Sequence, residues 1–93
     1  MNNLKYIIKL KYKNSYKIQK SLFNNNILWI DDTKEFISCY RDKFDDDYIY
    51  FYVYKRNKKL YFTFSDVCTN DDIMISANKF MRKEKLERLI KIK

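Results

Sequence analysis

The chain contains no glycine, no proline and no histidine; alanine occurs once, at Ala77, and cysteine twice. Without glycine there is no glycine-rich loop to cradle a phosphate, and without histidine there is no imidazole base and the commonest metal ligand is missing. Two cysteines alone cannot close a structural zinc site. Most familiar enzyme classes are excluded on these grounds, and neither a cofactor, a metal nor a small-molecule substrate is expected. Long apolar runs are missing too. Nowhere do about 18 apolar residues follow one another, and Met1 to Lys13 alternates lysine with apolar residues instead of forming a signal-peptide core. The expectation is a protein without a membrane partner, working in the cytoplasm, or in the host's cytoplasm if a phage or virus encodes it. Cys39 and Cys68 are then expected to be reduced.

What is present is aromatic and basic. The 93 residues include seven Phe, nine Tyr and one Trp, and 20 basic against 12 acidic side chains give a net charge of +8. That length fits a single domain, 1–93. A chain of this size buries only about 60–65% of the surface its unfolded form exposes, so its core needs large side chains. The aromatics supply them, and their regular spacing argues against a disordered basic tail. Lys, Asn, Ile, Tyr and Phe make up more than half of the chain, and all five can be encoded by A and T alone. An AT-rich bacterium, its phage or plasmid, or an AT-rich virus is the expected origin. Mutational bias then supplies part of the lysine, and the placement of charge says more than its total. Met1 to Phe23 carries six Lys and no acid, whereas Asn24 to Asp47 carries three basic and seven acidic residues. No linker, repeat or low-complexity tract separates these segments, so they are expected to be faces of one domain.

Periodicity predicts an α+β fold: an antiparallel sheet of three to five strands with helices packed mainly on one face. Lys5 to Lys13 reads as a strand with Tyr6, Ile8, Leu10 and Tyr12 on one side and Ile7 among Lys5, Lys9, Lys11 and Lys13 on the other. After a turn at Asn14 and Ser15, Tyr16 to Phe23 fits either a strand or a helix, since Ile18 and Leu22 suit both; a hairpin with the first strand is preferred. Asn24 to Asn26 breaks the pattern, and Ile27 to Ile30, with Trp29 in the core, reads as a short buried strand. Asp32 and Glu35 have the spacing of a capping box, which predicts a helix over Thr33 to Phe44 with Phe36, Ile37, Tyr40 and Phe44 as its stripe. Tyr48 to Tyr54 and Leu60 to Ser65 form the clearest hairpin, joined by Lys55 to Lys59. With no glycine available, Asn57 is the natural left-handed turn residue, and Asn14, Asn26 and Asn70 are candidates by the same logic. A last helix starts near Asn70 to Asp72 or at Ser76 and includes Ala77, Phe80 and Met81. Its apolar phase then jumps to Leu86, Leu89 and Ile90. The charged stretch Arg82 to Lys93 reads as a solvated helix surface.

The central hairpin is the most informative pattern. Ile49, Phe51 and Val53 alternate with Tyr48, Tyr50, Tyr52 and Tyr54, while Leu60, Phe62 and Phe64 alternate with Tyr61, Thr63 and Ser65. One face is aliphatic and phenyl; the other is phenolic and lies beside the cations Lys55, Arg56, Lys58 and Lys59. Flat rings for bases and cations for phosphates are what a single-stranded nucleic-acid platform needs. Tyrosine is also enriched at protein interfaces, and it favours strands for packing reasons alone, so a helix laid over this face would leave it an ordinary core surface. Lys9, Lys11 and Lys13 could add phosphate contacts, or could simply guard an edge strand against pairing.

Three acidic clusters, Asp31 with Asp32, Asp45 to Asp47 and Asp71 with Asp72, fall at element boundaries, where Asp caps helices and shapes turns. Cys39 and Cys68 read as small buried hydrophobes, because no His can activate a thiol. No family resemblance carries a function. The expected function is a non-enzymatic binding protein, from a phage or other mobile element, that engages nucleic acid or a nucleoprotein machine of the host, as an anti-CRISPR inhibitor does. The contact residues are Tyr48, Tyr50, Tyr52, Tyr54, Tyr61, Lys55, Arg56, Lys58 and Lys59, with Lys9, Lys11 and Lys13. The positive charge argues against DNA mimicry, which needs an acidic surface. Two alternatives stand beside it: a protein-only module or homodimer, and a small Mg-dependent nuclease using the Asp clusters.

Overall fold

The computed structural model describes residues 3–37, 44 and 46–83. Its elements are strand β1 (Asn3–Lys11), helix α1 (Ser15–Asn24), and strands β2 (Leu28–Trp29), β3 (Tyr48–Arg56), β4 (Lys59–Ser65) and β5 (Met74–Ser76). A further helical segment, α2, occupies 77–83. The strands form one sheet in the order β2-β4-β3-β1-β5. β3 runs antiparallel to both β1 and β4, whereas β5 pairs parallel with β1 and β2 parallel with β4. The α+β class is as expected, but the sheet is mixed and not wholly antiparallel. Both edge strands are reached by long connections instead of hairpins, and a crossover delivers its strand parallel.

Alternation sorts the sheet into two faces. Ile8, Leu10, Ile49, Phe51, Val53 and Phe62 form the apolar one, closed by Ile18, Leu22 and Phe23 of α1, by Ile27 and Trp29, and by Phe80 of α2. Trp29 stacks on Phe62 with ring centres 4.0 Å apart and meets Phe51 edge-on at 5.9 Å. Such pairs add about 0.5–1.5 kcal/mol each beyond the area they bury. Trp29 is thus core, as its apolar run implied.

Tyr16 to Phe23 lies in helix α1, which corrects the preferred hairpin. The helical stripe is partly polar: Ser15 and Gln19 are buried with Ile18, Leu22 and Phe23, while Tyr16, which the strand reading needed inside, is exposed. Gln19 donates to Ser15 Oγ at 2.9 Å and to Ile37 O at 2.8 Å, and accepts from Ile37 N at 2.8 Å. Its amide imitates a strand neighbour, so a polar group without solvent becomes the clasp that holds residue 37 against the helix.

That clasp explains a second correction. The first residues of the expected Thr33 to Phe44 helix, 33–37, are non-helical, and 38–43, with Cys39 and Tyr40, lie outside the described residues. Asp31 Oδ1 accepts from Thr33 N at 3.3 Å and from Thr33 Oγ1 at 2.9 Å, and Asp32 takes a left-handed φ of 70°. Asp32, the expected cap, is spent on a turn that Asp31 closes. Trp29 N then donates to Thr33 O at 3.0 Å and Trp29 Nε1 to Glu35 O at 2.7 Å. Backbone carbonyls that a helix would satisfy internally are held by side chains and strands from elsewhere.

The hairpin turn is tighter than the five residues Lys55 to Lys59. Arg56 pairs with Lys59, leaving Asn57 and Lys58 at φ 51° and 68°. Positive φ at both central residues matches the twist of the flanking strands, which is why two-residue hairpins demand it. Asn57 and Asn26 (φ 61°) are left-handed as expected, whereas Asn14 (φ −96°) and Asn70 (φ −150°) are not. Ser76 Oγ accepts from Lys79 N at 3.1 Å, fixing the start of α2 at one of its two expected positions. Leu86, Leu89 and Ile90 lie outside the described residues, as does Arg82 to Lys93 beyond 83.

The two crossovers position everything that follows. From β1 the chain passes through α1, over the apolar face, to β2 at one edge; from β4 it returns across the opposite face to β5 at the other edge. Opposite directions on opposite faces give both connections the same hand, the outcome expected from the strong preference for right-handed crossovers.

Candidate nucleic-acid interface

The register places Tyr48, Tyr50, Tyr52, Tyr54 and Tyr61 on one side of the sheet with Lys9, Lys11, Ile7 and Thr63. The β4–β5 crossover divides this phenolic face. Tyr52 Oη donates to Val67 O at 2.6 Å and accepts from Thr69 N at 2.9 Å, with Thr69 Oγ1 3.3 Å away. Beneath the crossover Ile7 is fully buried and Tyr52 is 6% exposed. Ile7 is therefore core rather than a neighbour of exposed lysines, and Tyr52 is an anchor for the loop rather than a contact ring. Both outcomes follow from a connection whose course no local pattern records.

At the hairpin end, Tyr54 is half-buried and parallel to Tyr52 at 6.5 Å. Tyr61 is 6% exposed because the Arg56 guanidinium lies 4.2 Å above its ring. Tyr61, expected to offer its face, has it covered already. Arg56 is in turn fixed from the side: Nη2 donates to Ile30 O at 3.3 Å and stands 3.9 Å from Asp32 Oδ2. Ile30 was not among the expected site residues and Asp32 only as part of an acidic cluster for a nuclease; their sequence distance from Arg56 gives no signal of the contact. Lys58 and Lys59 are exposed around this guanidinium, whereas Lys55, paired with Leu60, belongs by strand parity to the rim of the apolar face.

At the far end, the Lys9 ammonium sits 4.4 Å over the ring of Tyr48, which is 47% exposed; Tyr50 beside them is half-buried. Lys11 and Lys13 share Asp46, at 3.5 and 3.4 Å. The Lys13 hydrogen bond, then the charges of Lys13 and Lys11, hold the Asp46 carboxyl below its ordinary value. β1 lies inside the sheet, but β5 pairs only with Ile7 to Lys9, so Lys5 and Lys11 lie beyond the paired stretch and Lys13 falls in the turn after the strand. The edges are β2 and β5, two and three residues long.

The described members of the acidic clusters are put to structural use: Asp31 and Asp32 as above, Asp46 with the lysines, Asp47 Oδ2 accepting from Phe44 N at 2.9 Å, and Asp71 with Asp72 in a single 3-10 turn capped by Asn70; Asp45 lies outside the described residues. Among the described residues no group of three or more acidic or cysteine side chains is placed to hold a metal. Cys68 is half-buried with a free thiol. No described helix is long and apolar enough to cross a membrane. The chain matches no protein-family model, no curated protein and no solved structure.

Proposed function

We propose that the chain is a non-enzymatic protein that binds single-stranded RNA or DNA, free or as the guide or substrate strand of a host nucleoprotein machine, at the hairpin end of the phenolic face. One observation carries this reading. Arg56 is a flat cation laid on a buried tyrosine and contacted by a carbonyl and a carboxylate, with Lys59 opposite it in the ladder, Tyr54 on the same face and Lys58 in the adjoining turn. Guanidinium planes and aromatic rings stack nucleobases, and free lysines neutralise phosphates. Pre-fixing the arginine removes much of the entropy that binding would otherwise cost.

The test is fluorescence anisotropy with labelled decamers of deoxythymidine and uridine. If three or four phosphates are neutralised, affinity should fall about 20- to 50-fold between 50 and 200 mM salt. Replacing Lys58 and Lys59 together by Gln should flatten that slope. Absence of binding at 50 mM salt eliminates direct nucleic-acid contact and leaves an acidic protein surface as the target.

A further inference from the structure

The other end of the phenolic face holds a hollow that the proposed function does not use. β1 and β5 are parallel neighbours, and beyond their carboxyl ends the chain diverges, from β1 toward α1 and from β5 into α2. Between the diverging segments lies a cavity of about 310 Å³, lined by Lys9, Lys11, Asn14, Tyr48, Ser76 and Asn78 together with the apolar Leu10 and Ala77. That volume falls at the lower end of the roughly 300–1,000 Å³ typical of small-ligand sites.

The polar part of the lining has one chemical character. It offers two ammonium groups, two carboxamides, a hydroxyl and a phenol, and no carboxylate. Lys9 has no ion-pair partner among the described residues; its ammonium rests on the Tyr48 ring. Asp46 engages Lys11 but also Lys13, so one carboxylate is divided between two cations and the group of three lysines keeps a positive excess. Asn14 stands at the N-cap of α1 yet makes no capping hydrogen bond with its side chain, the task for which Asn is usually placed there. Ser76 Oγ accepts from Lys79 N, which leaves its proton to donate. Donors and positive charge line this space, and the one carboxylate that reaches them, Asp46, is shared outside the lining.

We infer that this cavity binds the phosphate group of a nucleotide, carried either by a free nucleotide or by a nucleic-acid strand. Lys9 and Lys11 neutralise the charge, and Asn14, Ser76 and Asn78 donate hydrogen bonds to the oxygens. Three or four acceptor oxygens on one tetrahedral centre match a ring of donors better than a planar carboxylate does. The site stands on its own residues, none of which contributes to the Arg56 platform.

The experiment is a titration of the ¹⁵N-labelled full chain with inorganic phosphate, 5′-uridine monophosphate, uridine and sodium chloride, followed by amide chemical shifts. Phosphate and the monophosphate should shift the amides of residues 9–14 and 76–79 saturably, while uridine and chloride should not. Lys9→Gln and Asn14→Ala should each weaken that binding by roughly tenfold with the thermal midpoint unchanged. Shifts spread evenly over all exposed lysines, Lys55 to Lys59 included, or affinity unmoved in both variants, would overturn the inference. Competition with the uridine decamer identifies the source: displacement of bound phosphate means that a strand supplies the group, and coexistence means that a free nucleotide does. Saturable phosphate shifts in a protein that ignores decamers would sink the proposed function and leave the cavity assignment intact.

Discussion

The two ends of the phenolic face are built from the same materials, a cation resting on a tyrosine ring, and are arranged differently. At the hairpin end the cation is a guanidinium, its ring is buried beneath it, and a carbonyl and a carboxylate lie 3.3 and 3.9 Å from it. At the far end the cation is an ammonium, its ring is half in solvent, and the nearby carboxylate is committed to two other lysines. A rigid planar cation suits stacking, whereas compact point charges around a hollow suit an oxyanion. Between them the crossover, fastened through the Tyr52 hydroxyl, keeps the two ends apart. Composition alone would score the two ends alike; what holds each cation distinguishes them.

The separation can be broken first at its fastening. Tyr52→Phe leaves Val67 O and Thr69 N without their partner and should cost about 1–3 kcal/mol of stability, read from the urea midpoint. Amide exchange at 67–69 should quicken while phosphate and oligonucleotide affinities hold. Loss of both affinities together would show that the ends are one surface. The hairpin end is sharpened by Arg56→Lys, which keeps the charge and removes the plane: decamer affinity should drop at least about fivefold at 50 mM salt with the salt slope unchanged. An unaltered affinity would make Arg56 a simple charge.

The smallest effect belongs to Asp46. Asp46→Asn should raise phosphate affinity about two- to threefold by releasing Lys11 and Lys13, and any gain should vanish in 1 M salt. Its carboxyl is held below the ordinary value of 3.8 in the folded chain, so the ion pairs favour folding fully above that value and cease to do so as pH falls through the lowered one. With no histidine in the chain, the thermal midpoint should stay nearly level from pH 5 to 7 and decline only in acid. A decline near pH 6 would point to a group outside this account.

The hairpin, its two faces and the core position of Trp29 were legible in the sequence because strict alternation runs through β3 and β4. Helix α1 was not, because its buried stripe includes Ser15 and Gln19, which pattern reading counts as exposed. Nor was the non-helical course of 33–37, whose hydrogen bonds come from Gln19 and Trp29. The same limit governs the site. Alternation assigns Tyr48, Tyr50, Tyr52, Tyr54 and Tyr61 to one face, but coverage by a distant loop and by Arg56 decides which rings solvent can reach.

Four residues, Asn26, Asp32, Asn57 and Lys58, adopt backbone angles that glycine takes without steric cost. Lys58 has no side-chain chemistry suited to that conformation, so a methylene crowds its own carbonyl in every folded molecule. A chain without glycine keeps that crowding at its tightest bend, and the dense aromatic interior compensates for it.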